Sequence, residues 1–237
     1  MIITLLIIIA ISAFTCFGAL YARKYERPDG LVALYVVFAA LSQIMASKIA
    51  SYNLGIIKVE APAAVLVFAV TFLITDIVNE KFGRMAVHRM IFITFITQVA
   101  MVAFLFIGGA LKPAPYWEGQ PAWDKLLGIV PRITFASWIT FLVSENLDAW
   151  LFSIVRKITK GRHLWARNIF STIPSLTVDT ILFVTLAFSG TGLPILAIMK
   201  GQFATKYLVG IVDIPFMYLN RRFLGKTLVK EYNSKKQ

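Results

Sequence analysis

Long apolar stretches separated by short polar connections run the length of the chain, at about 2 to 21, 31 to 51, 62 to 80, 87 to 111, 132 to 155, 169 to 188 and 202 to 220. A helix needs ~20 residues to cross the ~30 Å hydrocarbon layer of a bilayer, and each stretch is close to that length. Lipid offers no partner to a backbone N–H or C=O, so apolar segments of this size predict helices, which pair their own polar groups. The expected architecture is all-α: a polytopic membrane protein, a bundle of about seven transmembrane helices forming a single domain over residues 1–237. With the first helix discounted as peripheral, spans 2–4 and 5–7 are triplets that begin on opposite sides. An inverted repeat requires that arrangement, although the two triplets share little sequence.

Composition strengthens the membrane assignment. The chain is 58% hydrophobic and only 15% charged, outside the range of soluble globular domains. The first span has no basic segment before it and no convincing small-residue cleavage site before Arg23, so it is expected to stay attached rather than act as a cleaved signal. Cys16 is the sole cysteine, which excludes an intrachain disulfide or a thiolate metal site.

The formal net charge of +12 would suit nucleic acid, but its distribution along the chain is that of a membrane protein. Arg23, Lys24 and Arg27, then Lys81, Arg84 and Arg89, then Arg156, Lys157, Lys160, Arg162 and Arg167, then the basic tail from Arg221 fall on alternate connections. The opposite side holds only Lys58, Lys112, Lys125 and Lys200. The positive-inside bias predicts an N-terminus outside and a C-terminus in the cytoplasm, with no direct nucleic-acid binding. The outer loop 112 to 131, with Tyr116, Trp117 and Trp123, reads as a headgroup-level anchor or a lid. The segment 189 to 201 reads as a short interfacial or re-entrant piece.

Charges inside the spans carry the candidate chemistry, because a bilayer interior penalises them unless they meet a partner or a wet cavity. Span 3 ends with Asp76 and Glu80 on one face and Asn79 beside them; a bound cation, proton sharing or a basic partner would relieve their repulsion. In span 5, Trp138, Phe141, Glu145 and Asp148 fall at i, i+3, i+7 and i+10, which offers a flat donor-rich ligand an aromatic platform and two acceptors. Arg132 opens that span as an interface anchor or as the partner of an acid on another helix. Span 6 gathers Ser175 and Asp179 near a helix-interrupting Pro174, and Asp179, near mid-membrane, is the leading candidate. In span 7, Lys206 is two turns from Asp213, so it should reach another helix, with Asp179 and an aspartate of span 3 as alternatives. Gln43, Ser47 and Ser51 on span 2 read as packing contacts. His88 and His163 lack a third ligand at metal spacing, and neither a metal nor a cofactor is expected.

At these positions the chain resembles the queuosine precursor transporter family, also described as vitamin uptake transporters. The likeness rests on TDIVNEKFG (75–83), on Arg132, Ser137 and Asp148 within RITFASWITFLVSENLDAWLF, on STIPSLTVDTILF (171–183), and on Lys206 followed by Pro215 in ATKYLVGIVDIPFMYL. The resemblance implies an inner-membrane, non-enzymatic transporter importing a 7-deazapurine base. That base would be 7-cyano- or 7-aminomethyl-7-deazaguanine, a precursor of queuosine or archaeosine. It carries over Asp76, Asn79, Glu80, Arg132, Asp148, Asp179 and Lys206 as matching positions; Glu145, Trp138 and Ser175 are added on physical grounds. The cavity is expected among spans 3, 5, 6 and 7. Two alternatives stand beside this one. The first is a binding component for another vitamin-like heterocycle, working with a partner ATPase because the chain has no P-loop. The second is an intramembrane enzyme using the paired carboxylates, although HExxH and GxSxG motifs are missing. A homo-oligomer leaves no mark in the sequence.

Overall fold

A computed structural model describes residues 2–53, 58–158 and 164–207. Its elements in chain order are α1 (Ile2–Tyr25), α2 (Asp29–Met45), β1 (Ile49–Asn53), β2 (Lys58–Pro62), α3 (Val65–Phe82), α4 (Arg84–Ala110), α5 (Gln120–Leu127), α6 (Val130–Ile158) and α7 (Leu164–Phe188). Residues 195–207 are helical as well and are called α8. The protein is thus predominantly helical, and the first six expected spans each coincide with a long helix. The later part of the seventh, including Asp213 and Pro215, lies outside the described residues.

The apolar surface faces outward. Met85–Ala110 of α4 and Gln120–Ser144, which contains most of the N-terminal half of α6, are long and apolar enough to cross a bilayer. Large apolar side chains are exposed along both, among them Phe92 (65%), Phe104 (72%) and Leu142 (62%). Water does not tolerate a continuous apolar exterior of that extent, whereas lipid does. Buried hydroxyls are handled as a membrane requires: Thr94, Thr134 and Thr205 each donate to a carbonyl one turn earlier on their own helix.

Two apolar clusters hold the helices together. One joins Ala22 of α1, Leu31, Tyr35 and Phe38 of α2, Ile74 and Ile77 of α3, and Met90 of α4. The other joins Ile133 and Ala136 of α6 to Val184, Ala187 and Phe188 of α7 and Ile198 of α8, with Ala46 and Ala64 completing it. The ends of α2 and the start of α3 therefore lie between the clusters. Gly83 makes the turn from α3 to α4 in a backbone conformation (φ 81°, ψ 172°) that only glycine adopts without strain.

Three local features differ from the sequence reading. The second span stops at Met45, where Ser42 and Ser47 hydroxyls return to the carbonyls of Ala39 and Ile44, and the apolar residues after it form an antiparallel hairpin instead of more helix. Ile49 pairs with Pro62 and Asn53 with Lys58, and the Ala63 N–H closes the base on the Lys48 carbonyl at 2.8 Å. Buried Tyr52 donates to the Pro62 carbonyl at 3.3 Å; burial pushes its hydroxyl up to about 12, so it stays a neutral donor. The outer loop contains a short helix, α5, whose Trp123 ring lies where a side chain at Gly108 of α4 would need to be. The segment 189 to 201 is not a separate re-entrant piece, because from residue 195 it runs without a break into the helix that carries Lys206.

Candidate functional site

A buried ion pair lies between α7 and α8. The Lys206 ammonium forms an ion pair with Asp179 Oδ2, and the side chains are only 8% and 13% exposed. Ser144 of α6 donates to the other carboxylate oxygen, Oδ1, at 3.3 Å. Two residues before Asp179 and one after Lys206, the Thr177 and Tyr207 hydroxyls bond across the same helix pair at 2.8 Å. Two charges removed from water are stable only when both are paired and hydrogen-bonded, and this geometry meets that condition.

Above the ion pair lies a small, partly open cavity, whose empty space together with the solvent at its mouth is about 460 Å³. Ser42, Gln43 and Ala46 of α2 form one wall, and Pro62, Ala64, Val65 and Phe68 around the start of α3 form another. Ser137 and Thr140 of α6, Asp179 and Phe183 of α7, and Gln202 and Lys206 of α8 complete it. The helical repeat explains the selection: Ser137 and Thr140 share one face of α6, Asp179 and Phe183 one face of α7, and Gln202 and Lys206 one face of α8. Gln43 donates to Ser137 at 3.2 Å, which ties α2 to α6 across the cavity rim. Three buried side-chain atoms have no hydrogen-bond partner among the described residues: Thr140 Oγ1, Gln202 Oε1 and Thr180 Oγ1. The first two belong to cavity-lining residues.

The hairpin packs beside this cavity because Gly201 has no side chain. A Cβ there would sit 1.7 Å from the Glu60 carbonyl oxygen of β2. Backbone of β2 therefore lies directly on α8, one residue before Gln202.

Of the residues expected from sequence, Asp179 and Lys206 are brought together at the cavity, which decides between the two partners considered for Lys206. Ser175 is buried one turn from Asp179 and does not line the cavity. Of the two roles considered for Arg132, the structure shows no acid as its partner among the described residues. Its guanidinium donates to the carbonyls of Leu186 (2.9 Å) and Ser189 (2.5 Å), closing the C-terminal end of α7, where the last carbonyls lack helical donors. Lys81 serves α1 in the same way, donating to the Ala22 carbonyl at 2.7 Å. Trp138 is corrected. It is no platform at the cavity, since its indole donates to Gln98 of α4 at 2.6 Å and packs against Phe95 and Phe135. Asn79 is exposed at the far end of α3, eleven residues or ~16 Å along the axis from Phe68. The side chains of Asp76, Glu80, Glu145 and Asp148 lie outside the described residues.

Several cavity residues escaped the sequence reading. Gln43 reads from sequence as a packing residue, and Ser42, Thr140, Gln202, Phe68 and Phe183 are neutral residues in apolar runs that lack the cost signal of a charge. A hydroxyl stripe was available at Ser137, Thr140 and Ser144. It is one residue, or about 100° of rotation, from the charged face at Trp138, Phe141 and Glu145.

Lipid-facing helices around a partly open cavity with a buried ion pair at its floor are the architecture of a polytopic membrane protein. The chain belongs to the family described as "Putative vitamin uptake transporter", whose model matches residues 62–220 and contains every motif on which the resemblance rests. It is 29% identical over 164 residues to the "Probable queuosine precursor transporter" of Bacillus subtilis (strain 168), covering 67% of this chain and 71% of that protein. It is 28% identical over 142 residues to the "Queuosine precursor transporter" of Escherichia coli (strain K12), covering 55% and 60%. No solved structure matches the chain. The protein is accordingly a membrane transporter and not an enzyme, and the catalytic reading of its carboxylates is dropped. The walls built by α3, α6, α7 and α8 lie within the family match, whereas Ser42 and Gln43 of α2 lie before it.

Proposed function

We propose that this protein imports a queuosine precursor, a 7-deazaguanine base such as 7-cyano-7-deazaguanine, across the cell inner membrane, and that the cavity above Asp179 and Lys206 is where the base binds. The reading rests on a buried ion pair at the floor of a partly open cavity, in a chain whose relatives carry the name queuosine precursor transporter. A flat heteroaromatic ring suits a site that offers the phenyl groups of Phe68 and Phe183, and its amide and amino edge suits the neutral acceptors on the walls.

The cavity is read as outward-facing. With the N-terminus outside and the C-terminus inside, as the distribution of Lys and Arg argues, the end of α2, the hairpin and the start of α3 lie at the outer surface. The base would enter beside the hairpin and meet the ion pair below, and the whole of 1–237 would act as one transport domain. Passage inward requires the α7–α8 contacts at Asp179, Thr177 and Tyr207 to part, so the ion pair is the closure on the inner side.

The test is uptake of labelled 7-cyano-7-deazaguanine by cells that lack their own synthesis of the base and express this protein. Uptake should depend on the protein and fall to background with Asp179→Ala at matched membrane abundance. Uptake independent of the protein removes the substrate assignment.

A further inference from the structure

The charge at the cavity floor is already satisfied from within. Asp179 Oδ2 takes the Lys206 ammonium and Oδ1 takes the Ser144 hydroxyl, so the described walls present no free carboxylate. What the walls leave open is neutral. Thr140 is 1% exposed and Gln202 4% exposed, and Thr140 Oγ1 and Gln202 Oε1 have no hydrogen-bond partner among the described residues. Elsewhere in the bundle, buried Thr94, Thr134 and Thr205 spend their hydroxyls on their own helix, whereas Thr140, like Thr180 away from the cavity, does not. Buried polar atoms without partners are costly, and two of the three among the described residues belong to residues lining this one cavity, on α6 and α8. An amide oxygen only accepts and a hydroxyl accepts or donates, so the group they fit carries N–H donors.

Taking the cavity as the base site proposed above, we infer that Thr140 and Gln202 read the N–H edge of an uncharged base, and that the closed Asp179–Lys206 pair selects against cationic relatives. The 7-cyano base is neutral. Its 7-aminomethyl counterpart is an alkyl ammonium at neutral pH, with a pKa near the ~10 of a lysine side chain. In this cavity the ammonium would face the positive charge of Lys206 and find the one described carboxylate occupied, after losing its own hydration.

The experiment uses the purified full-length protein in detergent, with labelled 7-cyano-7-deazaguanine in equilibrium dialysis and the 7-aminomethyl base as competitor. The neutral base should bind at least 10-fold more tightly than the cationic one. Thr140→Val keeps the shape and deletes the hydroxyl. It should weaken binding of the neutral base about 5- to 10-fold while leaving the melting temperature of the empty protein unchanged or higher, because a buried group without a partner is lost. A purely structural role for Thr140 predicts the reverse pair of results. Gln202→Leu should weaken the neutral base by a similar factor, and Lys206→Met, which frees the carboxylate, should narrow or invert the preference. Equal or tighter binding of the aminomethyl base by the unmodified protein overturns the selectivity while leaving the base site intact. Unchanged affinity in both Thr140→Val and Gln202→Leu overturns the assigned contacts. Binding of neither base overturns the site itself and the selectivity with it.

Discussion

At the scale of single residues, the chain separates charges that hold the fold from charges available to a substrate, and residue type does not reveal which is which. Arg132 and Asp179 are both ionisable groups within apolar spans, yet one caps α7 through backbone carbonyls and the other sits at a cavity. Removing one member of the buried pair strands the other charge in a low-dielectric setting, so Asp179→Ala should destabilise the protein by about 3–5 kcal/mol. The double variant Asp179→Ala with Lys206→Met should recover most of that loss, as measured by thermal unfolding in detergent. Equal destabilisation by single and double variants would mean that the pair is not the energetic unit described. Arg132→Ala should cost only about 1 kcal/mol, because the guanidinium is exposed and its bonds are screened, and it should leave base affinity within twofold. A large loss of affinity in Arg132→Ala would return that residue to the site.

At this scale the sequence was legible wherever a charge signalled cost. Asp179 and Lys206 stood out because lipid penalises ions, and their pairing was among the alternatives. Thr140 and Gln202 were not legible, since a neutral polar residue in a span costs little when its helix or a neighbour satisfies it, and only coordinates reveal that theirs do not. Trp138 misled for a related reason. A large amphipathic ring suits both a ligand platform and an interhelix contact, and periodicity alone does not say which helix lies opposite.

At the scale of elements, the hairpin β1–β2 is the feature that hydropathy concealed. Residues 49 to 52 are apolar enough to extend the second span, and nothing in a running average separates a helix end from a strand that packs on a neighbour. The start of α8 was misread similarly, because Pro194 and the glycines before it resemble the edges of a short interfacial piece. The close contact of β2 with α8 gives the hairpin a testable role. Gly201→Ala places a methyl group inside the space of the Glu60 carbonyl, so the strand must move off α8 beside the cavity. Uptake should fall at least 10-fold while the protein still reaches the membrane; uptake unchanged within twofold would show that the hairpin position is irrelevant to the site. Gly83→Ala has open space around it and is strained by backbone conformation alone. It should lower stability by about 1–3 kcal/mol and leave base selectivity untouched.

At the scale of the whole molecule, the order of the first six long helices followed from the length of the apolar runs, because bilayer thickness fixes how long a span must be. The two buried clusters did not follow, since inward and lipid-facing sides of a span are equally apolar and their distinction rests on which helices meet. The orientation makes its own prediction. In a Cys16→Ser background, Lys112→Cys should react with an impermeant maleimide added to intact cells, whereas Arg27→Cys should react only after permeabilisation. The opposite labelling pattern would invert the topology and turn the cavity toward the cytoplasm.

The central claim is that the base crosses the membrane through the cavity enclosed by α2, α3, α6, α7 and α8, and proteoliposome uptake with that cavity plugged tests it most directly. Ser137 lines the cavity and is only half-buried, so Ser137→Phe adds a ring where the base would lie without entering a closed core. Monodisperse, folded Ser137→Phe protein is predicted to reduce uptake of labelled 7-cyano-7-deazaguanine to the level of empty liposomes, while the unmodified protein accumulates it. Uptake by the plugged variant at the unmodified rate would contradict the account and move the pathway to another part of the molecule.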